Sequence, residues 1–291
     1  MKRNEINIRD PYVLVSGGKY YLYGTRSATC WGNADGFDCY VSTDLEQWDG
    51  PIEVFRRSTG FWADRCYWAP ECYEIGGRFY LVTTLGGEQL KKSVHVLVSD
   101  SPTGPFDYFS RLTPENWCAI DGSLWFSLEG APWLIFSHSF EDGGCQDMCA
   151  VKLLHDLTGP AEEPIVLFQV SDAPWAVPVP FAKAEFGLDG DIYFSDGPCS
   201  LALKNGSLAI IWSGWGKAGY AVGIAVSDSG AITGPWRQEE VPLVPGGAGH
   251  GMVFTALDGK RYYALHSPND KYLERPVFRE LVEEDGKLRL V

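Results

Sequence analysis

The chain has 291 residues, of which 45% are hydrophobic and 14% aromatic, a composition typical of a globular protein with a substantial core. Its 24 Lys and Arg residues stand against 38 Asp and Glu residues, and the net charge of −14 disfavours nucleic acid and anionic membrane surfaces as partners. The first residues hold no apolar run of the length that a signal peptide needs, and no stretch is long and apolar enough to span a bilayer. A cytoplasmic location is therefore expected.

The eight cysteines bear on the redox state of the protein. Without an export signal, reduced thiols are expected rather than a disulfide framework. Cys145 and Cys149 are four residues apart, and because few histidines lie near them, idle thiols are favoured over a zinc site. Neither disulfides nor zinc are expected to hold the fold together.

Short runs rich in Val, Ile, Tyr, Phe and Trp recur along the chain between Gly, Asp and Asn turns, and this pattern predicts an all-β protein. Five hairpins each pair two alternating apolar runs across a turn that contains Gly. In chain order they cover residues 12–25, 72–84, 123–137, 200–213 and 252–267.

A repeated phrase follows four of the hairpins and consists of an apolar strand, then Ser or His, an Asp and a Gly-Pro stop. It occurs at residues 40–51, 96–106, 152–160 and 225–236. Recurrence at intervals of roughly 50 to 75 residues is typical of one blade per repeat, so we predict a single domain, residues 1–291, folded as a five-bladed β-propeller. The last repeat lacks the phrase, so the N-terminal INIR segment is expected to complete the fifth blade. A two-sheet sandwich remains an alternative, but it does not explain the repeated phrase.

In a propeller, the residues just before the innermost strand of each blade cluster at one mouth of the central channel. Three of the five segments in that position contain an aspartate, so Asp10, Asp121 and Asp196 are expected to converge as a carboxylate cluster. Considered alone, Asp10 is better explained as a residue that starts a turn before Pro11.

The segments around these aspartates resemble glycoside hydrolase family 43, the five-bladed propellers that remove arabinofuranose or xylose. The likeness runs from about Ile8 to Leu290 and is carried in order by IRDP, WAPE, AIDGSLWF, DGP, ITGPW and GHGMVF. It implies an active site at one mouth of the channel and inverting hydrolysis, with Asp10 as general base and Asp121 as the carboxylate that tunes and orients the acid. Most of the family has Glu-Gly-Pro where this chain has Asp-Gly-Pro, so Asp196 and Glu185 are both candidates for the general acid.

Three acids suit this chemistry because each has a separate task. Inversion needs one protonated carboxyl for the leaving oxygen and one ionised carboxylate for water, about 6.5 to 9.5 Å apart. A third carboxylate nearby raises the pKa of the acid by like-charge repulsion and keeps it protonated near neutral pH.

The resemblance also implies residues that contact the substrate or an ion. Trp68 would stack on a sugar face, Glu71 would bond sugar hydroxyls and Arg275 would bind the innermost sugar. His250 would lie beside a hydrated calcium ion in the channel, although the chemistry itself requires no cofactor. Each also has a purely structural interpretation, as a core ring, a strand cap, an ion-pair partner or a structural histidine. Further candidates for pocket walls are the loop aromatics Trp31, Phe37, Trp175 and Trp215.

The expected function is that of an exo-glycosidase that removes non-reducing terminal α-L-arabinofuranosyl residues from plant-type oligosaccharides. β-Xylosidase and β-D-galactofuranosidase remain alternatives, because the family uses one catalytic set for sugars of similar shape. A sugar-binding propeller that does not hydrolyse its ligand is an alternative from another functional class. It is considered because Asp196 is one methylene shorter than the Glu that most of the family has at this position. A dehydrogenase or nucleotide enzyme is disfavoured, since no strand-loop-helix glycine fingerprint is present.

Overall fold

Five antiparallel sheets of four strands each form the computed structural model, which describes residues 1–143 and 147–291. Within every sheet the strands lie side by side in chain order, so each sheet is one blade. The predicted five-bladed all-β propeller is therefore confirmed. Cys145 lies outside the described residues, and the seven described cysteines are free thiols.

The strands of the first blade are β1 (Ile8–Ser16), β2 (Lys19–Arg26), β3 (Gly36–Ser42) and β4 (Asp49–Arg56). Those of the second are β5 (Arg65–Ile75), β6 (Arg78–Gly86), β7 (Ser93–Ser99) and β8 (Asp107–Arg111). Those of the third are β9 (Ala119–Phe126), β10 (Pro132–His138), β11 (Asp147–Lys152) and β12 (Ile165–Gln169). Those of the fourth are β13 (Ser195–Ala202), β14 (Leu208–Gly216), β15 (Gly219–Ser227) and β16 (Trp236–Gln238). Those of the fifth are β17 (Gly249–Thr255), β18 (Arg261–Ser267), β19 (Arg275–Glu284) and β20 (Lys287–Leu290).

Helical structure in the described residues is short. One α-helix, α1 (Ala182–Phe186), lies between the third and fourth blades. Single 3-10 turns occur at Arg3–Glu5, Ser27–Thr29, Phe140–Asp142 and Val170–Asp172. No helix in the described part of the chain is long and apolar enough to cross a membrane.

The five predicted hairpins are the first two strands of each blade. In the first, Ser16 pairs with Lys19 across Gly17 and Gly18, whose φ angles of 54° and 72° favour glycine. Alternation and turn chemistry are local properties, which is why the sequence pattern located these hairpins correctly.

The expected closure of the ring by the N-terminal INIR segment is wrong. Ile8 begins β1, the first strand of the first blade, and the fifth blade consists of β17–β20 alone. Its outer strand, β20, pairs with β19 across a turn at Asp285 and Gly286, which both have positive φ. The ring closes instead by packing, in a buried cluster that includes Leu22 of the first blade and Phe254 of the fifth. Apolar burial of this kind needs no exchanged strand.

The innermost strands share an irregularity that aims side chains into the channel. Each of them has a register shift against its neighbour, which marks a β-bulge. Each innermost strand has a residue with left-handed φ at such a bulge, and these residues are Asp10 (52°), Ala69 (46°), Asp121 (57°), Gly197 (51°) and His250 (45°). Asp10, Asp121 and His250 therefore occupy equivalent positions in three blades, whereas Asp196 lies one residue before the equivalent position in the fourth.

Candidate active site

Three buried aspartates surround one histidine at the centre of the propeller. The Nδ1 atom of His250 lies 3.4 Å from Asp10 Oδ1, 3.7 Å from Asp121 Oδ2 and 3.6 Å from Asp196 Oδ1. All four residues are less than a tenth exposed. The convergence expected from the sequence is thus present, and His250 stands within it.

Asp10 is held in its ionised form. Thr25 Oγ1 donates a hydrogen bond of 2.6 Å to Asp10 Oδ2, and the Asp10 backbone N–H donates to His266 Nδ1 at 3.3 Å. Burial by itself would raise the pKa of Asp10, but the charge of His250 and then that of Arg9 outweigh it and lower the pKa far below its usual value. Asp10 can therefore act as a base across the neutral range.

The pKa of Asp196 is shifted in the opposite direction from that of Asp10. Burial raises its pKa to about 7, with a further contribution from the charge of Asp121, and this outweighs the attraction of His250 and the hydrogen bond donated by the Tyr220 hydroxyl. The pKa of Asp121 is also raised. Burial and repulsion from Asp10 raise it, and together they outweigh the attraction of His250, which lowers it. The cluster therefore contains one ionised carboxylate and a second carboxyl that keeps its proton near neutral pH.

His250 supplies the compensating positive charge. Burial lowers its pKa, but the three surrounding aspartates raise it to about 9. The ligand atoms of Asp121, Asp196 and His250 lie within 4.8 Å of one another, close enough to hold a cation. Calcium takes about six to eight oxygen ligands, whereas this set offers one ring nitrogen and two carboxylates, so these side chains alone do not fit calcium. The calcium ion stays a prediction, and the chemistry derived below uses only protein groups and water.

A pocket of about 410 Å³ opens above the cluster. Trp31, Trp68, Trp215 and Glu185, all named from the sequence, line it together with the three aspartates and His250. The Trp31 and Trp68 rings are 6.0 Å apart, and Trp31 is 54% exposed, so one of its faces is open to a ligand. Aromatic walls over a carboxylate cluster suit a sugar, whose apolar faces stack on such rings.

Other residues named from the sequence lie elsewhere. Glu71 is buried deeper in the channel, where Tyr73 donates a hydrogen bond to it and burial raises its pKa to about 7. The Arg275 guanidinium donates to the backbone carbonyls of Asn4 and Glu274 and does not line the pocket. Phe37 and Trp175 are core residues rather than pocket walls, because they pack inside hydrophobic clusters of the blades.

Sequence reasoning missed a polar network that supports Asp10. Arg9 Nη1 donates to Glu274 at 2.8 Å and to Asn269 at 3.1 Å, and the Arg9 guanidinium lies 5.3 Å from the Trp31 ring centroid. His266 Nε2 lies 3.2 Å from Asn269 Oδ1, an arrangement that leaves Nδ1 free to accept from Asp10. Arg9 could have been found from the sequence, because it is adjacent to Asp10. Asn269 could not, because it lies in a loop that carries no recognisable motif.

The arrangement can carry out acid and base catalysis at one carbon. Asp10 Oδ1 and Asp196 Oδ1 both lie within 3.6 Å of His250 Nδ1, so their separation is at most the sum of the two distances, about 7 Å. This upper limit overlaps only the lower end of the range of about 6.5 to 9.5 Å used by inverting enzymes, so the opposite pKa shifts of the two carboxyls, and not their separation, support the roles of base and acid.

The chain is similar in sequence and in structure to known glycosyl hydrolases. Residues 5–284 match the sequence model of the protein family "Glycosyl hydrolases family 43". The chain is 25% identical to the extracellular exo-α-(1→5)-L-arabinofuranosidase ArbA of Cellvibrio japonicus, over 93% of this chain and 82% of that protein. It is 34% identical to a solved endo-arabinase of Bacteroides thetaiotaomicron, with a TM-score of 0.88 over 99% of this chain and 98% of the other. A solved endo-1,4-β-xylanase of the same organism is 28% identical, with a TM-score of 0.75, 99% of this chain and 95% of the other being covered.

Proposed function

Because this chain belongs to glycosyl hydrolases family 43 and is an inverting hydrolase of O-glycosyl bonds, we propose that it removes terminal α-L-arabinofuranosyl residues with Asp10 as base and Asp196 as acid. The catalytic assignment rests on one observation: the carboxyls of Asp10 and Asp196 lie around the same His250 nitrogen but have pKa values shifted in opposite directions. The pKa of Asp10 is lowered and that of Asp196 is raised to about 7, so at neutral pH one accepts a proton and the other donates one.

In the proposed reaction a water held by Asp10 attacks the anomeric carbon and passes its proton to the Asp10 carboxylate. The glycosidic C–O bond breaks, its electron pair stays on the leaving oxygen, and Asp196 gives that oxygen a proton. Burial, with a smaller contribution from repulsion by Asp121, keeps Asp196 protonated. Asp121 is itself positioned by Thr84, whose hydroxyl accepts a hydrogen bond of 2.8 Å from the Asp121 N–H. Attack opposite the leaving group inverts the anomeric centre.

Asp196 is favoured over Glu185 as the acid. Asp196 is buried within the cluster, where its pKa is raised, whereas Glu185 lies on the exposed helix α1 at the rim of the pocket. A general acid needs a pKa near the working pH, and burial is what supplies it. Glu185 remains the alternative to be tested.

The choice of sugar is supported by the names of the relatives. ArbA acts as an exo-α-(1→5)-L-arabinofuranosidase, and the solved structure at 34% identity is an endo-arabinase. β-Xyloside and β-D-galactofuranoside stay in the test because a xylanase is also among the similar structures. The cytoplasmic location expected from the sequence stays a prediction, and ArbA is named as an extracellular enzyme.

The test is release of the terminal sugar from α-L-arabinofuranosyl, β-D-xylosyl and β-D-galactofuranosyl disaccharides, whose leaving alkoxide needs a proton, by the wild type and by Asp10→Asn, Asp196→Asn and Glu185→Gln. We expect turnover of the arabinofuranoside, lost by a factor of about 10³ in Asp10→Asn and Asp196→Asn and retained in Glu185→Gln. Loss in Glu185→Gln with retention in Asp196→Asn would reassign the acid. Turnover of only another sugar would overturn the arabinose assignment.

A further inference from the structure

The side-chain amide of Asn269 is held in one orientation beside the base. Its Oδ1 atom lies 3.1 Å from Arg9 Nη1 and 3.2 Å from His266 Nε2. A guanidinium only donates hydrogen bonds, so the Asn269 atom that faces Arg9 is the acceptor oxygen, and a flipped amide is excluded. The same oxygen then accepts the proton of His266 Nε2, which agrees with Nδ1 of that ring accepting from the Asp10 N–H. The Nδ2 group of Asn269 therefore points away from both Arg9 and His266.

The Nδ2 group of Asn269 is open to solvent and has no acceptor in the described part of the chain. The backbone N–H of the same residue is already used, because it donates to the Gly247 carbonyl at 2.8 Å. Among the described residues, the buried polar atoms without a partner do not include Asn269 Nδ2, so water reaches this atom. Asn269 also lines the pocket above the carboxylates. Its two side-chain N–H bonds are thus available to a molecule bound in the pocket.

Other donors that line the pocket are committed to protein acceptors. Lys92 Nζ donates to Glu141 at 2.7 Å, and the Tyr220 hydroxyl donates to Asp196. A sugar hydroxyl donates one hydrogen bond and accepts up to two. A hydroxyl that donates to a carboxylate of the cluster therefore still needs a donor for its own oxygen. The amide of Asn269 supplies such a donor without adding a charge to the cluster.

We propose that Asn269 is a substrate-binding residue that donates a hydrogen bond from Nδ2 to one hydroxyl of the terminal sugar and so selects sugars that carry this hydroxyl. This inference rests on the proposed function, since the ligand is the sugar whose anomeric carbon faces Asp10. His266 joins Asn269 to Asp10, so the amide lies on the side of the base and contacts the terminal sugar rather than the leaving group. The amide is fixed by two donors and does not turn to accept a bond instead. A sugar without the matching hydroxyl leaves the N–H bonds of Asn269 without an acceptor.

The test compares variants of Asn269 on a disaccharide and on its monodeoxy analogues. The substrates are an α-L-arabinofuranosyl disaccharide and three analogues whose terminal sugar lacks the 2-, 3- or 5-hydroxyl. Asn269→Ala removes the whole amide, whereas Asn269→Asp keeps an oxygen that accepts from Arg9 and His266 and replaces the donor by an acceptor. The matched control is Asn205→Ala. It removes an exposed amide that accepts a backbone hydrogen bond on the turn between β13 and β14, outside the pocket lining.

We expect kcat/KM for the parent disaccharide to fall about tenfold in both Asn269 variants, and the wild type to be about tenfold slower on one of the analogues. On that analogue the variants and the wild type should differ by less than about twofold, because the contact is already lost. The control should match the wild type on all four substrates. If the first panel identifies another sugar, the monodeoxy analogues of that sugar replace these, so the two proposals fail separately. If no disaccharide is hydrolysed, the Kd values of the same substrates, measured by calorimetry, give the same comparison.

The inference is overturned if the Asn269 variants lose the same factor on the parent and on every analogue, because the amide would then act only by holding Arg9 and His266. A loss in Asn269→Ala with wild-type kcat/KM for the parent in Asn269→Asp has the same meaning. Unchanged kcat/KM in both variants also overturns it. If Asn269→Ala does not fold, as judged by circular dichroism, the comparison of Asn269→Asp with the wild type decides by the same criterion.

Discussion

The imidazole of His250 lies directly against Gly197, so that a methyl group added to Gly197 would be 2.8 Å from His250 Cγ and 3.0 Å from its Cα. Gly197 also has a φ of 51°, in the left-handed region that favours glycine. This contact links the bulge of the fourth blade to the residue around which Asp10, Asp121 and Asp196 gather. The absence of a side chain at Gly197 is thus a condition for the position of His250.

Gly197→Ala is therefore expected to displace His250 and lower kcat by about 100-fold, with a loss of about 2 kcal/mol in the free energy of unfolding. The measurements are aryl-glycoside kinetics and urea unfolding. Gly17→Ala is the matched control, because Gly17 has a φ of 54° but nothing lies within 4 Å of an added methyl group. Equal kinetic losses in the two variants would mean that backbone strain, and not contact with His250, is responsible.

The pH profile should reflect the proton on Asp196. Since its pKa is about 7 and only the protonated form donates, kcat/KM should fall as pH rises above about 7. The pKa of Asp10 is lowered, so Asp10 stays ionised and active well into the acidic range.

Tyr220→Phe should move the alkaline limb of that profile to higher pH. The hydroxyl of Tyr220 donates to Asp196 and lowers its pKa, so removing the hydroxyl raises the pKa of Asp196, while the ring keeps its stack on His266. The profile of kcat/KM for Tyr80→Phe, at a half-buried tyrosine outside the pocket lining, should match the wild type. An unmoved limb in Tyr220→Phe would contradict the assignment of that limb to Asp196.

Arg9→Met should destabilise the fold by about 3 kcal/mol, because it leaves the carboxylate of Glu274, which is 0% exposed, without its cation. Urea unfolding measures the change. The double variant Arg9→Met with Glu274→Met should recover much of the loss, since Glu274 then no longer leaves a buried carboxylate without its cation. As a control, Arg289→Met breaks an exposed pair with Glu284 and should have little effect. If the double variant recovers no stability, the loss in Arg9→Met comes mainly from lost packing or from the lost hydrogen bond to Asn269, and not from the unpaired charge of Glu274.

Trp31→Ala should lower kcat/KM for an oligosaccharide about tenfold, because an exposed ring in the pocket loses its stacking on sugar. The melting temperature should change little, as the ring is already 54% exposed. Phe126→Ala, which removes a ring that is 42% exposed outside the pocket lining, serves as the control for both measurements. Unchanged kinetics in Trp31→Ala would remove this ring from the binding surface.

The sequence by itself determined the blades and the aspartates. Alternating apolar runs and glycine turns act between near neighbours, so the five hairpins and the segments that carry Asp10, Asp121 and Asp196 could be located from local pattern. The tertiary structure decided what depends on ring closure and on long-range packing. It placed His250 among the three carboxylates, buried Trp175 in the core while Trp31 lines the pocket, and completed the fifth blade with β20 instead of the N-terminal segment. Distances between residues hundreds of positions apart follow from how the blades pack, and local sequence pattern carries no measure of them.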